Sequence, residues 1–175
     1  MHCFDFEAVV VFDENGNGEI YCNECVPDRT DIENGENVHP IFCDSELDCY
    51  PTCSVCGKIH DYVSLTPQGY QHEMEAYFDK LCNEYDTDKF MTPYLYYGEY
   101  VECVNEYYET FYFPTDILSK EEIEKEGYEI EQTHNGYYIR ASANGYLDCN
   151  DWEPIDSFDD LLDWFDSNYE PLEEE

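Results

Sequence analysis

Two cysteine pairs are the part of this sequence whose residue types and spacing can do chemistry. They are Cys22-Asn23-Glu24-Cys25 and Cys53-Ser54-Val55-Cys56. A C-x-x-C turn places two sulfurs on one side of a metal ion, and two such turns supply the four thiolates that tetrahedral Zn²⁺ takes. Gly57, directly after the second pair, suits a tight knuckle in which backbone N–H groups point at sulfur. The expectation is one structural Zn²⁺ on Cys22, Cys25, Cys53 and Cys56, closed to substrate. Alternatives stay open: Cys43 or Cys49 could exchange with one of the four, and His39 or His60 could replace a thiolate. A redox role is disfavoured, since neither pair opens a helix after a strand.

A second cluster matches a metal loop by residue type alone. Asp13, Asn15, Asn17, Gly18, Ile20 and Glu24 stand where a twelve-residue EF-hand loop has its ligands, glycine and aliphatic. Such a loop needs a helix on each side. Here Val9-Val10-Val11-Phe12 reads as strand, and Cys22 and Cys25 overlap the exit, so the expected structure is a hairpin turn. No G-x-S-x-G, H-E-x-x-H or phosphate-cradling glycine loop is present. His2, His39, His60, His72 and His134 are scattered, and carboxylates are too numerous for an acid/base pair to stand out. The chain does not read as an enzyme.

The elements that must position these residues give an α+β reading in two regions. Residues 1–66 read as a β-rich, zinc-ribbon-like part. Residues 67–175 read as an acidic, Tyr-rich α+β part with an antiparallel hairpin and two or three helices. Phe4 to Phe12 alternates as a strand, Asp13 to Gly18 turns, and Glu19 to Val26 returns. Residues 28–40 read as a polar loop ending at His39-Pro40. Met74, Tyr77, Phe78, Leu81, Cys82 and Tyr85 form a helical stripe. The Tyr-rich tract 90–113 resists typing. Ser119 with Glu122 makes a capping box for a short helix stopping at Gly127. Tyr128–Gln132 and Tyr137–Ser142 read as a hairpin across His134-Asn135-Gly136, with a further strand near Gly145–Cys149. Ser157 and Asp160 cap a last helix with a Phe158, Leu161, Leu162, Phe165 stripe, and Glu170–Glu175 reads as a frayed tail.

Charge narrows the function classes. The 175 residues hold 43 acidic and 7 basic side chains, a net of −36. Direct nucleic-acid binding is excluded by that balance, because phosphates must be met by Lys and Arg. A polybasic membrane contact is excluded likewise, and no apolar run reaches the roughly 18 residues of a spanning helix. The start, Met1-His2-Cys3-Phe4-Asp5, lacks a basic signal-peptide region, which gives a cytoplasmic expectation. Disorder is also disfavoured: aromatics make up 17% of the chain, whereas acidic disordered chains are poor in them. Duplex DNA carries one charge per ~1.7 Å, so a duplex spanning the ~40 Å of a compact domain this size holds only about 24 phosphates. The protein carries more charge than DNA of its own length.

The spacing of the cysteine pairs resembles a zinc ribbon over about residues 20–60, which implies a closed structural site. By charge, size and aromatic content the whole chain resembles the acidic phage proteins that mimic DNA and block restriction or CRISPR enzymes. That resemblance implies a basic nucleic-acid-binding protein as partner, in the host cytoplasm if the chain is phage-encoded, and no direct nucleic acid or membrane. It carries over no individual residue. The candidate contact carboxylates come from their place among aromatics: Glu99, Glu102, Glu106 and Glu109 in the Tyr tract, and Asp159, Asp160, Asp163 and Asp166 on the last helix. The alternative is a zinc-ribbon adapter or structural protein whose acidic surface keeps it in solution.

Overall fold

The computed structural model describes residues 6–26, 37–87, 91–143 and 149–172. The chain is α+β and separates into two compact units, Met1–Glu73 and Met74–Glu175.

In the first unit, β1 (Phe6–Phe12) is the centre of a three-stranded sheet ordered β2-β1-β3, with β2 at Gly18–Cys22 and β3 at Val38–Phe42. Both pairings are antiparallel. The Asp13 carboxylate organises the β1–β2 turn: one oxygen accepts from the backbone N–H of Asn15 and of Asn17, both at 2.8 Å, and the other from Asn17 Nδ2 at 2.9 Å. Gly16 takes φ +82°, so the EF-hand-like residues are a hairpin turn, as the strand-like flank requires. Two expectations are corrected. The second strand ends at Cys22, where Asn23–Cys25 turn, rather than at Val26. His39 and Pro40 lie in β3, not in a loop. Proline is tolerated there because β3 is the edge of the sheet among the described strands, where one side of the strand has no ladder to complete. Ala8, Ile41 and Val63 form one core cluster, with Val10, Ile20, Leu47, Tyr50 and Tyr62 packed on it, and Val9 and Val38 are buried as well. A two-residue parallel pair, β4 (Glu46–Leu47) with β5 (Ser64–Leu65), closes the segment that carries the second cysteine pair.

Helix α1 spans Pro67–Glu84. Proline suits its first position, where an N–H would be unpaired, and the Thr66 hydroxyl accepts from Gly69 N–H at 3.0 Å. A Cβ on Gly69 would come within 2.8 Å of the Asp48 backbone, so only glycine fits this close approach.

The second unit is built on a four-stranded antiparallel sheet ordered β7-β6-β8-β9. The untyped tyrosine tract is its spine: β6 (Thr92–Val104) turns at Asn105–Glu109 into β7 (Thr110–Pro114). Consecutive Tyr100 and Val101 are both buried, so β6 is covered on each face at that point, whereas consecutive Tyr96 and Tyr97 are both exposed, and the strand shows no simple in/out alternation. One face holds Tyr100, Tyr138 and Trp152, the other Val101, Cys103 and Ile123 of α2 (Lys120–Lys125). The Ser119–Glu122 capping box forms, and Gly127 takes φ +94° just past the helix.

The expected hairpin at His134-Asn135-Gly136 is absent. β8 runs unbroken over Glu129–Ser142, pairing with β6 from Ser142 opposite Thr92 to Glu129 opposite Val104. An Asn-Gly hairpin turn needs positive φ at both residues, and neither Asn135 nor Gly136 has it. Continuous pairing with β6 outweighs the local turn signal, and the antiparallel hairpin of this unit is β6–β7 instead. The strand expected near Gly145–Cys149 falls mostly outside the described residues; Cys149 bridges Ser142, and β9 is Glu153–Ile155.

Helix α3 (Phe158–Asn168) starts on Ser157, whose side chain accepts from Asp160 N–H, and buries Leu161, Trp164 and Phe165. The tail is not frayed as far as Leu172: its N–H donates to Glu84 O at 2.8 Å, and Asp86 N–H donates to Glu170 O at 3.0 Å. No helix among the described residues is long and apolar enough to cross a membrane.

Candidate metal centre

The two cysteine pairs arrive from different elements. Cys22 is the last residue of β2, and a turn in which Cys25 and Val26 N–H both donate to Cys22 O brings Cys25 back beside it. The second pair sits on a knuckle between the bridged residues Thr52 and Ile59. Within it, Cys53 N–H donates to Lys58 O and Gly57 N–H to Cys53 O, both at 2.9 Å, with Gly57 at φ +72°. Ser54 N–H donates to Ile20 O at 2.8 Å and ties the knuckle to β2. Each turn pairs two sulfurs locally, and the contacts of Ser54 N–H with Ile20 O and of Cys22 N–H with Cys53 Sγ, more than 30 residues apart in the chain, bring the two pairs together.

The four sulfurs lie within 4.8 Å of one another, a group that could hold a metal ion. The edge of a tetrahedron with metal–sulfur bonds of about 2.3 Å is about 3.8 Å. Cys22 Sγ and Cys56 Sγ are 3.7 Å apart, so the spacing fits a four-coordinate ion. No disulfide links the described cysteines. Cys43, Cys49, His39 and His60, the alternative ligands, are not members of the group. His60 is instead buried, 3.7 Å by Nδ1 from Glu7 Oε2 and edge-on to Tyr62.

The site is already electrostatically divided. Backbone N–H groups of Cys56, Cys22 and Val55 aim at the Cys53 sulfur and hold its thiol down to about 6. The neighbouring Cys22 and Cys56 sulfurs push the Cys25 thiol up. A metal that takes all four therefore displaces protons, and its affinity rises with pH. Lys58, at the end of the knuckle, pairs with Glu7 at 2.9 Å, and that contact, with smaller help from Cys22 and Glu24, raises the pKa of its ammonium.

The candidate contact carboxylates are distributed over the second unit. Glu99 and Glu102 are three residues apart on β6, which puts them on opposite faces. Glu99 meets Lys120 at 3.2 Å and the Thr115 hydroxyl, while Glu102 meets His134 Nε2 at 3.1 Å. Glu106 and Glu109 lie in the β6–β7 turn, where Glu109 accepts from Asn105 Nδ2 at 2.7 Å. The four glutamates are thus not one face. On α3, Asp159, Asp160, Asp163 and Asp166 are all exposed, and Asp166 accepts from the Tyr85 hydroxyl at 2.5 Å.

The same turn holds two residues that sequence reasoning passed over. Tyr107 and Tyr108 are 73% and 88% exposed, and Tyr108 has φ +63°. A left-handed backbone costs a non-glycine residue about 1–2 kcal/mol. The signal available in the sequence is Asn105, whose side-chain oxygen accepts from the N–H groups of Tyr107 and Glu109 and fixes the turn.

No protein-family model, curated protein or solved structure matches this chain.

Proposed function

We propose that the protein is an acidic mimic of nucleic acid that inhibits a DNA- or RNA-binding defence enzyme by occupying its basic groove. In this reading one Zn²⁺ on Cys22, Cys25, Cys53 and Cys56 is a structural cross-link, since four thiolates leave it no open position for chemistry. The observation that carries the reading is charge far beyond what the few cations of the chain can pair. Against 43 acidic side chains stand 7 basic ones, and Lys58, Lys80 and Lys120 are each already within 4.0 Å of a glutamate. The remaining carboxylates repel one another and destabilise a compact state, unless an external cationic surface meets them. Asp159, Asp160 and Asp163, all exposed along α3, are such a row. Complementary charge of this kind speeds association and selects the partner.

The test is competition. Restriction endonucleases and CRISPR effectors, each loaded with labelled duplex DNA, are titrated with the protein and DNA release is followed by anisotropy. Release at 0.1 M salt that disappears at 1 M supports mimicry, because exposed charges are screened within about 3 Å at 1 M. An intact enzyme–DNA complex at 0.1 M salt rejects it for those enzymes. A second reading, a zinc-ribbon adapter, is favoured by the exposed Val55 and Ile59 beside the knuckle. An adapter would bind through that apolar pair, and its binding would survive 1 M salt.

A further inference from the structure

We infer that the tip of the β6–β7 hairpin is an arginine-stacking anchor: Tyr107 and Tyr108, framed by Glu106 and Glu109, seat on guanidinium groups in the basic groove of a protein partner. The inference rests on the mimic reading and names the residues through which the groove is gripped.

Three observations converge on the tip. Tyr107 and Tyr108 are more exposed than any other large hydrophobic residue among the described ones. By contrast Tyr96 and Tyr97, 46% exposed, already rest on neighbouring rings, Tyr96 on Tyr138 and Trp152 and Tyr97 on Tyr137. Second, the tip is held rigid beneath its rings. Asn105 Oδ1 accepts from Tyr107 N–H at 2.9 Å and from Glu109 N–H at 3.0 Å, Tyr108 N–H donates to Asn105 O at 3.0 Å, and Asn105 N–H to Glu109 O at 3.1 Å. A pre-ordered backbone carrying flat aromatics loses little entropy on binding. Third, Tyr108 sits in left-handed backbone at φ +63°, where asparagine or glycine would be at ease. Strain kept for an outward-facing ring points to a use for the ring.

Charge decides what the rings meet. From Glu99 to Ser119 the chain holds Glu99, Glu102, Glu106, Glu109 and Asp116 and no Lys or Arg. An acidic or nucleic-acid occupant is repelled, whereas a cationic one is drawn in. Between the two cations, guanidinium is the better fit. Its plane stacks on a tyrosine face and its fork meets a carboxylate with two hydrogen bonds, which the compact ammonium of lysine cannot do.

The probes are nona-arginine and nona-lysine peptides, added to the full-length zinc-loaded protein with ring-labelled tyrosines. Ring signals of Tyr107 and Tyr108 are assigned by their loss in Tyr107→Ser and Tyr108→Asn. With nona-arginine these two signals should move first and furthest, ahead of those of Tyr96 and Tyr97. The double variant should bind nona-arginine about 5- to 30-fold more weakly, the sum expected of two exposed cation–π contacts. Its loss for nona-lysine should be smaller, and its melting temperature should not fall, because asparagine accepts the left-handed φ. Salt-sensitive nona-arginine binding that moves other tyrosines and leaves these two still overturns the anchor while sparing the mimic reading. Equal losses for both peptides overturn the arginine preference. Movement of the two signals on concentrating the protein alone makes the tip a self-association surface and overturns the inference. Failure of the mimic reading looks different: nona-arginine still moves the two tyrosine signals, yet the protein releases no labelled DNA from a restriction or CRISPR enzyme at 0.1 M salt.

Discussion

The two units solve the same problem, a large negative charge on a small fold, with different materials. The first has strands of two to seven residues, a described cluster of aliphatic residues at Ala8, Ile41 and Val63 with tyrosines at its margin, and four sulfurs drawn to one point. The second has a continuous sheet, covered on both faces of β6 by Tyr100, Tyr138 and Trp152 and by Val101, Cys103 and Ile123, with Phe165 of α3 fully buried. A unit of about 70 residues gains much from a coordinate cross-link that offsets chain entropy, whereas the second unit has large buried aromatics to do so. The comparison teaches that the two units should fail under different insults.

The largest effect expected is metal removal. Purified protein should contain about one Zn per chain, and chelation or Cys53→Ser should unfold the first unit while the second keeps its aromatic circular dichroism. Apparent zinc affinities in small thiolate sites run to about 10–16 kcal/mol, comparable to or above the roughly 5–15 kcal/mol that stabilises a whole domain. A first unit that keeps its amide-exchange protection without metal would show that the sulfurs staple nothing.

The converse insult is a hole in the aromatic core. Phe165 is fully buried against Phe78, Tyr85, Trp164 and Tyr169. Phe165→Ala should cost the second unit about 3–5 kcal/mol. Co²⁺ substituted at the cysteines should keep its tetrahedral thiolate spectrum in that variant. Loss of the spectrum together with the core would mean the units do not fail separately.

pH should part the units again, in opposite directions. Tyr85, Tyr100 and Tyr169 are each pushed up to about 12, Tyr85 mainly by its hydrogen bond to Asp166 and the other two by burial. A phenol whose folded pKa is raised binds its proton more tightly when folded. Its contribution is whole below the unfolded value of about 10 and is lost as pH climbs towards 12. The second unit should therefore weaken between about pH 10 and 12, and Tyr85→Phe should flatten that fall. The first unit should instead weaken in acid, where protons compete with metal for sulfur. Melting curves of both units across pH 4–12 check this.

What was legible in the sequence follows the range of the interactions. The two C-x-x-C turns, the Asp13 turn, the Ser119 and Ser157 caps and the stripe of α1 are set by residues a few positions apart and are legible, and the tetrahedral demand of one metal joins the two turns across 27 residues. The tyrosine tract is not, because β6 is buried on both faces at Tyr100 and Val101 and exposed on both at Tyr96 and Tyr97, so its pattern carries no simple alternation. His134-Asn135-Gly136 misled for the related reason that a long partner strand overrides a local turn preference. Pro40 read as loop because nothing local says that β3 has a free edge. Among the contact carboxylates, the Glu99 and Glu102 alternation on β6 could have been foreseen only once the tract was known to be a strand.

The smallest effect separates carboxylates that look alike in sequence. Glu99 has Lys120 beside it and its carboxyl is held below the ordinary range by that contact, whereas Glu106 stands exposed in the β6–β7 turn with carboxylates as its near neighbours in the chain. In a field this negative, neutralising a carboxylate without a cation should relieve repulsion, while neutralising a paired one also discards an attraction. Glu106→Gln should raise the melting temperature of the second unit by up to about 2 °C, within the range of a surface change. Glu99→Gln should raise it less or lower it. Both shifts should shrink in 0.5 M salt, where screening removes the field that distinguishes them. Equal shifts for the two variants would mean that the Lys120 contact has no net effect on stability and that repulsion acts on the unit as a whole.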